Sequence, residues 1–202
     1  MPEAVYRFPK NFLWGSATAA HQVEGNNTNN NWYYWENQPG KILNGDKSGL
    51  ACDWWGGRWK DDLEKAAQDG QNSHRFSVEW SRIQPAENSW DEDALAYYRE
   101  MAEGMTRMGL KPMVTLHHFT DPLWIFEEGG WENDRTVGYF ADYVRQVVST
   151  LKDYVDLWVT INEPIVYTAS GYLDGTFPPG KNNLGAVFRV MKNLIKGHAA
   201  AY

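Results

Sequence analysis

The segment VTINEP, residues 159–164, is an apolar run that stops at Asn162, Glu163 and Pro164. A carboxylate placed there can donate and reclaim a proton, cap the turn that follows, or pair with an arginine. Other apolar runs also close on polar groups. His21, Gln22 and Glu24 follow FLWGSATAA, Glu79 and Trp80 close HRFSVEW, and His117 and His118 close KPMVTLHHF. Gln22 and His118 each offer a donor and an acceptor. A histidine in that position serves structure as readily. Arg75 lies inside an apolar pattern, where a cation is costly unless paired. It can pair with a local acid such as Glu79 or reach solvent from a sheet edge. No metal is expected. His117 and His118 are adjacent and point to opposite faces of a strand, and His21 and Glu24 have no further histidine at a zinc-like spacing. No Gly-x-Ser-x-Gly elbow occurs for a serine triad, and the single cysteine, Cys52, lies away from every strand end.

The elements that must position these groups alternate. Strands are expected at 12–20, 74–80, 111–119 and 156–162. Helices are expected at 59–70, 91–109, 133–154 and 182–202. Residues 26–35 read as a polar, asparagine-rich loop. Its aromatics, Trp32 to Trp35, could line a cleft or pack on the surface. Four strand–helix units imply parallel strands with crossover helices. The strands are short and apolar, as expected when both faces are buried. The fold class is therefore α/β. In a (β/α)8 barrel all these strand ends share the C-terminal rim, where active sites sit. An open flavodoxin-like sheet is the competitor, but no glycine-rich phosphate loop follows the first strand.

The chain has 202 residues, 43% hydrophobic and 15% aromatic, with 11 Trp, so it can bury a sizeable core. Its net charge of −7 argues against nucleic acid as a partner. No apolar run approaches the ~20 residues of a spanning helix. The N-terminus carries no apolar signal core. A soluble, cytoplasmic protein is the expectation, with the Asn26-Asn27-Thr28 sequon a chance occurrence. A complete barrel has eight units over about 250 residues, whereas four units are present here. The last helix runs to Tyr202 with no stop signal. Residues 1–202 are thus expected to be the N-terminal half of one barrel, completed by further chain, a partner chain or a second copy.

The longer motifs resemble one family. Phe12 to Gly25, FLWGSATAAHQVEG, closely resembles the N-terminal signature of glycoside hydrolase family 1, the β-glucosidases, β-galactosidases and relatives. Arg75 to Pro85 resembles its second-strand motif, Thr115 to Phe119 its third, and Thr160 to Pro164 the segment that holds its acid/base. Gly171-Tyr172 through Pro179-Gly180 resembles the loop that follows. The motifs are in order and span essentially the whole chain.

The resemblance implies a retaining β-glycosidase of the first half of a (β/α)8 barrel, acting on a small β-glycoside or oligosaccharide without a cofactor. Such hydrolysis uses two carboxyl groups roughly 5–5.5 Å apart. Glu163 matches the acid/base. Asn162 matches the residue that holds the sugar 2-hydroxyl. Gln22, His118 and Phe119 match residues that bind the sugar, Phe119 standing where many relatives carry Trp. Arg75 matches the arginine beside the nucleophile. His21, Glu24 and His117 are expected to be structural. Ile165 departs from the Trp that many relatives place against the leaving group. The nucleophile motif, Thr-Glu-Asn-Gly in type, does not occur, so this chain alone is expected to lack normal turnover. A non-catalytic half-barrel that binds sugar or self-assembles through its open edges is the alternative.

Overall fold

The computed structural model describes residues 6–202. In chain order the elements are β1 (Gly15–Ala17), α1 (Ala20–Val23), α2 (Asn31–Glu36), α3 (Trp59–Gln68), β2 (Ser73–Ser77), α4 (Trp80–Ile83) and α5 (Glu92–Arg107). They continue with β3 (Lys111–His117), α6 (Leu123–Glu127), α7 (Thr136–Leu151), β4 (Leu157–Ile161), α8 (Pro164–Thr168) and α9 (Leu184–Ala201). Short 3-10 turns at Leu43–Gly45 and Gly130–Glu132 and a π turn at Ala169–Leu173 complete the set. Among the described residues, no helix is long and apolar enough to cross a membrane.

The four strands form one sheet in the order β1-β2-β3-β4, and every pairing is parallel. Gly15 pairs with Ser73, Ser73 with Lys111 and Met113 with Leu157. Sequential parallel order is barrel order. A doubly wound sheet would place an early strand out of sequence. All four strand ends therefore lie on one rim.

Burial departs from expectation at the two edges. β2 and β3 are buried along most of their length, but β1 is exposed throughout and β4 is half-buried up to Ile161. Among the described residues each of these outer strands has one neighbour, which leaves the other side of its backbone unpaired. β1 is also shorter than the expected 12–20 strand. Ser77 Oγ accepts from Ala20 N at 2.7 Å, and α1 begins there instead. Similarly, β2 stops at Ser77 and β3 at His117, so Glu79, His118 and Phe119 lie in the turns beyond.

The long helices follow ordinary start and stop rules. Asp91 caps α5 by accepting from Ala94 N at 2.9 Å, and Glu92 and Asp93 occupy the positive first turn. Leu95, Tyr98, Met101, Ala102 and Met105 form its buried stripe. Gly109 ends it at φ 79°, a left-handed conformation that costs glycine little. α7 buries Phe140, Tyr143, Val144, Val147 and Leu151 against the outer face of the sheet. Between them, Trp80 stacks on Tyr143 at 4.9 Å and lies 5.6 Å from Phe140.

The edge strand β1 is tied to β2 by a buried histidine. Ser16 Oγ lies 2.9 Å from His74 Nδ1 and Thr18 Oγ1 lies 3.2 Å from Nε2. Burial, reinforced by the Arg75 charge, lowers the His74 pKa to about 4. The unfolded chain protonates this imidazole near pH 6.5. Between pH 6.5 and 4, therefore, only the unfolded state takes up the proton, and stability is lost as pH falls. His74→Asn removes that dependence. The stability advantage of the parent over the variant should shrink by about 2 kcal/mol between pH 7 and pH 5, read from urea midpoints. A pH-independent difference would show that His74 takes up its proton as readily in the folded state as in the unfolded one, and would overturn this account.

Candidate active site

Two of the rim turns hold a non-glycine residue in the left-handed region. Phe119, two residues past β3, has φ 71°, and Glu163, two residues past β4, has φ 44° and ψ 60°. Such positions cost on the order of 1–3 kcal/mol each and persist where surrounding structure fixes them. At Glu163 the chain reverses directly into α8, with Pro164 at its first position. The carboxylate is left exposed on the rim.

The expected residues fall into two adjoining groups. Gln22, His118 and Phe119 line a cavity of about 190 Å³ together with Ala19, His21, Trp32, Thr120 and Phe177. Its walls are mainly aromatic, and Trp32 and Phe177 meet edge-on at 4.9 Å while Phe177 lies 5.8 Å from Phe119. Aromatic faces with a few convergent polar groups suit a hydroxylated ring that carries C–H faces. His118 lines the cavity, and its buried Nδ1 has no hydrogen-bond partner among the described residues. Burial, with the charges of Arg75 and His117, lowers the His118 pKa to about 4, and the ring is neutral above that. His21 was expected to be structural, yet it forms part of the wall. Trp32 comes from α2 in a segment expected to be a loop, N-capped by Asn30, whose Oδ1 accepts from Tyr33 N at 2.8 Å. Trp35 on the same short helix is buried and Tyr34 is exposed, so one turn of helix sorts the aromatics that sequence left open. Phe177 lies within the 171–180 motif, but nothing in that irregular loop marked it as a wall of the cavity.

The second group runs across the sheet. Arg75 Nη1 donates to Asn162 Oδ1 at 2.8 Å and to Thr115 Oγ1 at 3.2 Å. Asn162 Nδ2 then faces Glu163 Oε2 at 3.4 Å. Arg75 thus orients the amide, and its NH2 end is turned toward the carboxylate. Among the described residues Arg75 makes no ion pair. The local acid Glu79 is not its partner. Glu79 is fully buried and accepts from Ser81 Oγ at 2.8 Å and Thr120 Oγ1 at 2.9 Å. The groups meet where Asn162 N donates to His117 O at 2.9 Å.

Buried polar residues hold the rim from below. Glu24 pairs with Arg82 at 2.7 Å and accepts from Tyr98 Oη at 2.6 Å. Burial outweighs the Arg82 charge and raises the Glu24 pKa to about 7. Gly25 follows at φ 79°, and a Cβ there would stand 2.0 Å from Leu50 O, so only glycine fits. His117 is likewise buried, 2.9 Å from Asp121 Oδ1. Glu24 and His117 occupy the structural positions expected of them.

Comparison with known proteins identifies the family and the fold. The family model for glycosyl hydrolase family 1 matches residues 4–202. β-Glucosidase A of Thermotoga maritima is 35% identical over 203 residues, covering 98% of this chain and 45% of that protein. A β-glycosidase from Pyrococcus horikoshii superposes with a TM-score of 0.90 at 42% identity, over 96% of this chain and 45% of its own. The T. maritima β-glucosidase in complex with castanospermine superposes with a TM-score of 0.94 at 35% identity, over 98% of this chain and 46% of its own. The chain spans about half the length of the curated relatives it matches. Its sequential parallel strands are the first four βα units of the barrel in these neighbours. With its motifs at the rim and this match along its length, the chain belongs to glycosyl hydrolase family 1.

Proposed function

We propose that residues 1–202 form the N-terminal half of the catalytic barrel of a retaining β-glycosidase of the β-glucosidase type. The observation that supports this best is the Arg75–Asn162–Glu163 line beside a cavity walled by Gln22, His118 and Phe119. Arg75 is a half-buried guanidinium that faces no carboxylate among the described residues, and a C-terminal half-barrel would supply one as nucleophile. Asn162 holds the sugar 2-hydroxyl, and Gln22 and His118 hold hydroxyls of the ring stacked on Phe119.

The reaction runs in two displacements. The nucleophile attacks the anomeric carbon while the Glu163 O–H protonates the departing glycosidic oxygen, and the alcohol leaves. A covalent glycosyl-enzyme remains. The Glu163 carboxylate then takes a proton from water, whose oxygen attacks the anomeric carbon and releases the nucleophile. The sugar keeps its β configuration.

Addition of a C-terminal half-barrel from a family 1 relative, carrying the Thr-Glu-Asn-Gly segment, should turn this chain from inactive to active on an aryl β-glucoside. A folded complex that stays inactive overturns the reading. Exposed apolar residues at both open edges, Phe8 and Trp14 beside β1 and Leu184, Phe188 and Ile195 on α9, favour a second reading in which the chain associates with itself. Sedimentation of the chain alone as a dimer, with no turnover after addition of the C-terminal half, supports that second reading.

A further inference from the structure

The buried Asp121 has no place in the chemistry above, yet it gathers donors from four segments. His117 Nε2 at the end of β3 stands 2.9 Å from Oδ1, and Trp131 Nε1, beyond α6, donates to Oδ1 at 3.1 Å. Tyr167 Oη on α8 donates to Oδ2 at 2.6 Å, and Asn31 Nδ2 on α2 reaches the same oxygen at 3.4 Å. Asp121 is fully buried, and among the described residues it pairs with no lysine or arginine. A side chain held in this way fixes the segments that donate to it, since each donor is unpaired if it moves.

Two of those segments lead to the strained rim turns. Tyr167 N donates to Glu163 O at 3.1 Å, so the turn that sets the Glu163 backbone carries the tethered phenol. Asn31 joins Asp121 N, which donates to its Oδ1 at 3.0 Å, to Phe119 O, which accepts from its Nδ2 at 3.3 Å. One carboxylate therefore connects the turn of the proposed acid to the turn of the proposed sugar-binding pair. We propose that Tyr167 and Asp121 are positioning residues. They hold the Glu163 turn against the His118–Phe119 turn, so that the proton reaches the leaving oxygen of a sugar seated in the cavity. This rests on the reading of Glu163 as the acid/base.

A misplaced acid has a signature that general loosening lacks. Departure of a good leaving group, such as 2,4-dinitrophenolate, needs no proton, whereas departure of an alkyl alcohol does. The parent enzyme, completed by its C-terminal half, is compared with Tyr167→Phe, Asp121→Asn and Glu163→Gln on an alkyl and a 2,4-dinitrophenyl β-glucoside. Tyr167→Phe should lower kcat/KM on the alkyl substrate about tenfold and leave the dinitrophenyl substrate within about twofold. Asp121→Asn should shift the same ratio in the same direction. Equal losses on both substrates, or no loss on the alkyl one, overturn the inference. Glu163→Gln separates the two levels. If it shows no selective loss, the acid/base reading itself fails. If it does and Tyr167→Phe does not, only the positioning role fails. Should Asp121→Asn not fold, Tyr167→Phe removes a single oxygen from the same contact and carries the test.

Discussion

Glu163→Gln in the completed enzyme should lower kcat/KM on an alkyl β-glucoside by about 10²- to 10⁴-fold, the usual contribution of a positioned general acid. Glutamine keeps the size and the hydrogen bonding of the side chain but has no transferable proton. In the 202-residue chain Glu163 is exposed, so the change leaves no buried charge unpaired there and this chain should melt as before. The loss is thus chemical. Asn162, turned toward the carboxylate by Arg75, should stay in place, since its stronger bond at 2.8 Å is to the guanidinium. Product stereochemistry offers a second readout, with the parent releasing the β-anomer. A variant that retains parental rates on the alkyl substrate would remove Glu163 from the mechanism.

Trp80→Ala should cost the 202-residue chain about 3–5 kcal/mol, by lost transfer energy plus the cavity left behind. That is a large share of the roughly 5–15 kcal/mol that holds a typical domain together. Trp80 is 1% exposed and lies between the sheet and α7, stacked on Tyr143 and near Phe140 and Trp124. Its Nε1 donates to Gln84 Oε1 at 2.9 Å, so the alanine also leaves a buried amide oxygen with one donor fewer. The urea midpoint should fall accordingly, and the near-ultraviolet circular dichroism of the cluster should weaken. A loss below about 1 kcal/mol would mean that the cluster repacks around the gap.

Much of the architecture was legible along the chain. The helices α3, α5, α7 and α9 each show an apolar stripe every three or four residues, and α3, α5 and α9 are bounded by acids or a cap at one end. Glycine follows α3 and α5. Those signals are local, so they survive reading in one dimension, and the observed ends fall within three residues of the expected ones. The rim residues were legible for a related reason. In a parallel sheet the polar residue that ends an apolar run must lie at the strand's C-terminal end, and four such ends recur in order. The short helices α1, α2, α4, α6 and α8 were not legible, because one or two turns carry too little periodicity to register. They form where tertiary contacts fix their ends, as Ser77 Oγ does for α1.

The order of residues along the chain carries the family, the α/β alternation and the polar groups that reach the rim. It leaves open what Arg75 bonds to, which aromatics face the cavity and what holds the Glu163 turn. Those three follow from the folded chain. Arg75 meets Asn162 from 87 residues away, Tyr167 meets Asp121 from 46 away, and Phe177 meets Trp32 only after the rim loops fold over one another. Contacts at such separations leave no repeating pattern in the chain. They exist only because parallel strands bring distant turns to the same end of the sheet, where each polar group finds its partner in three dimensions.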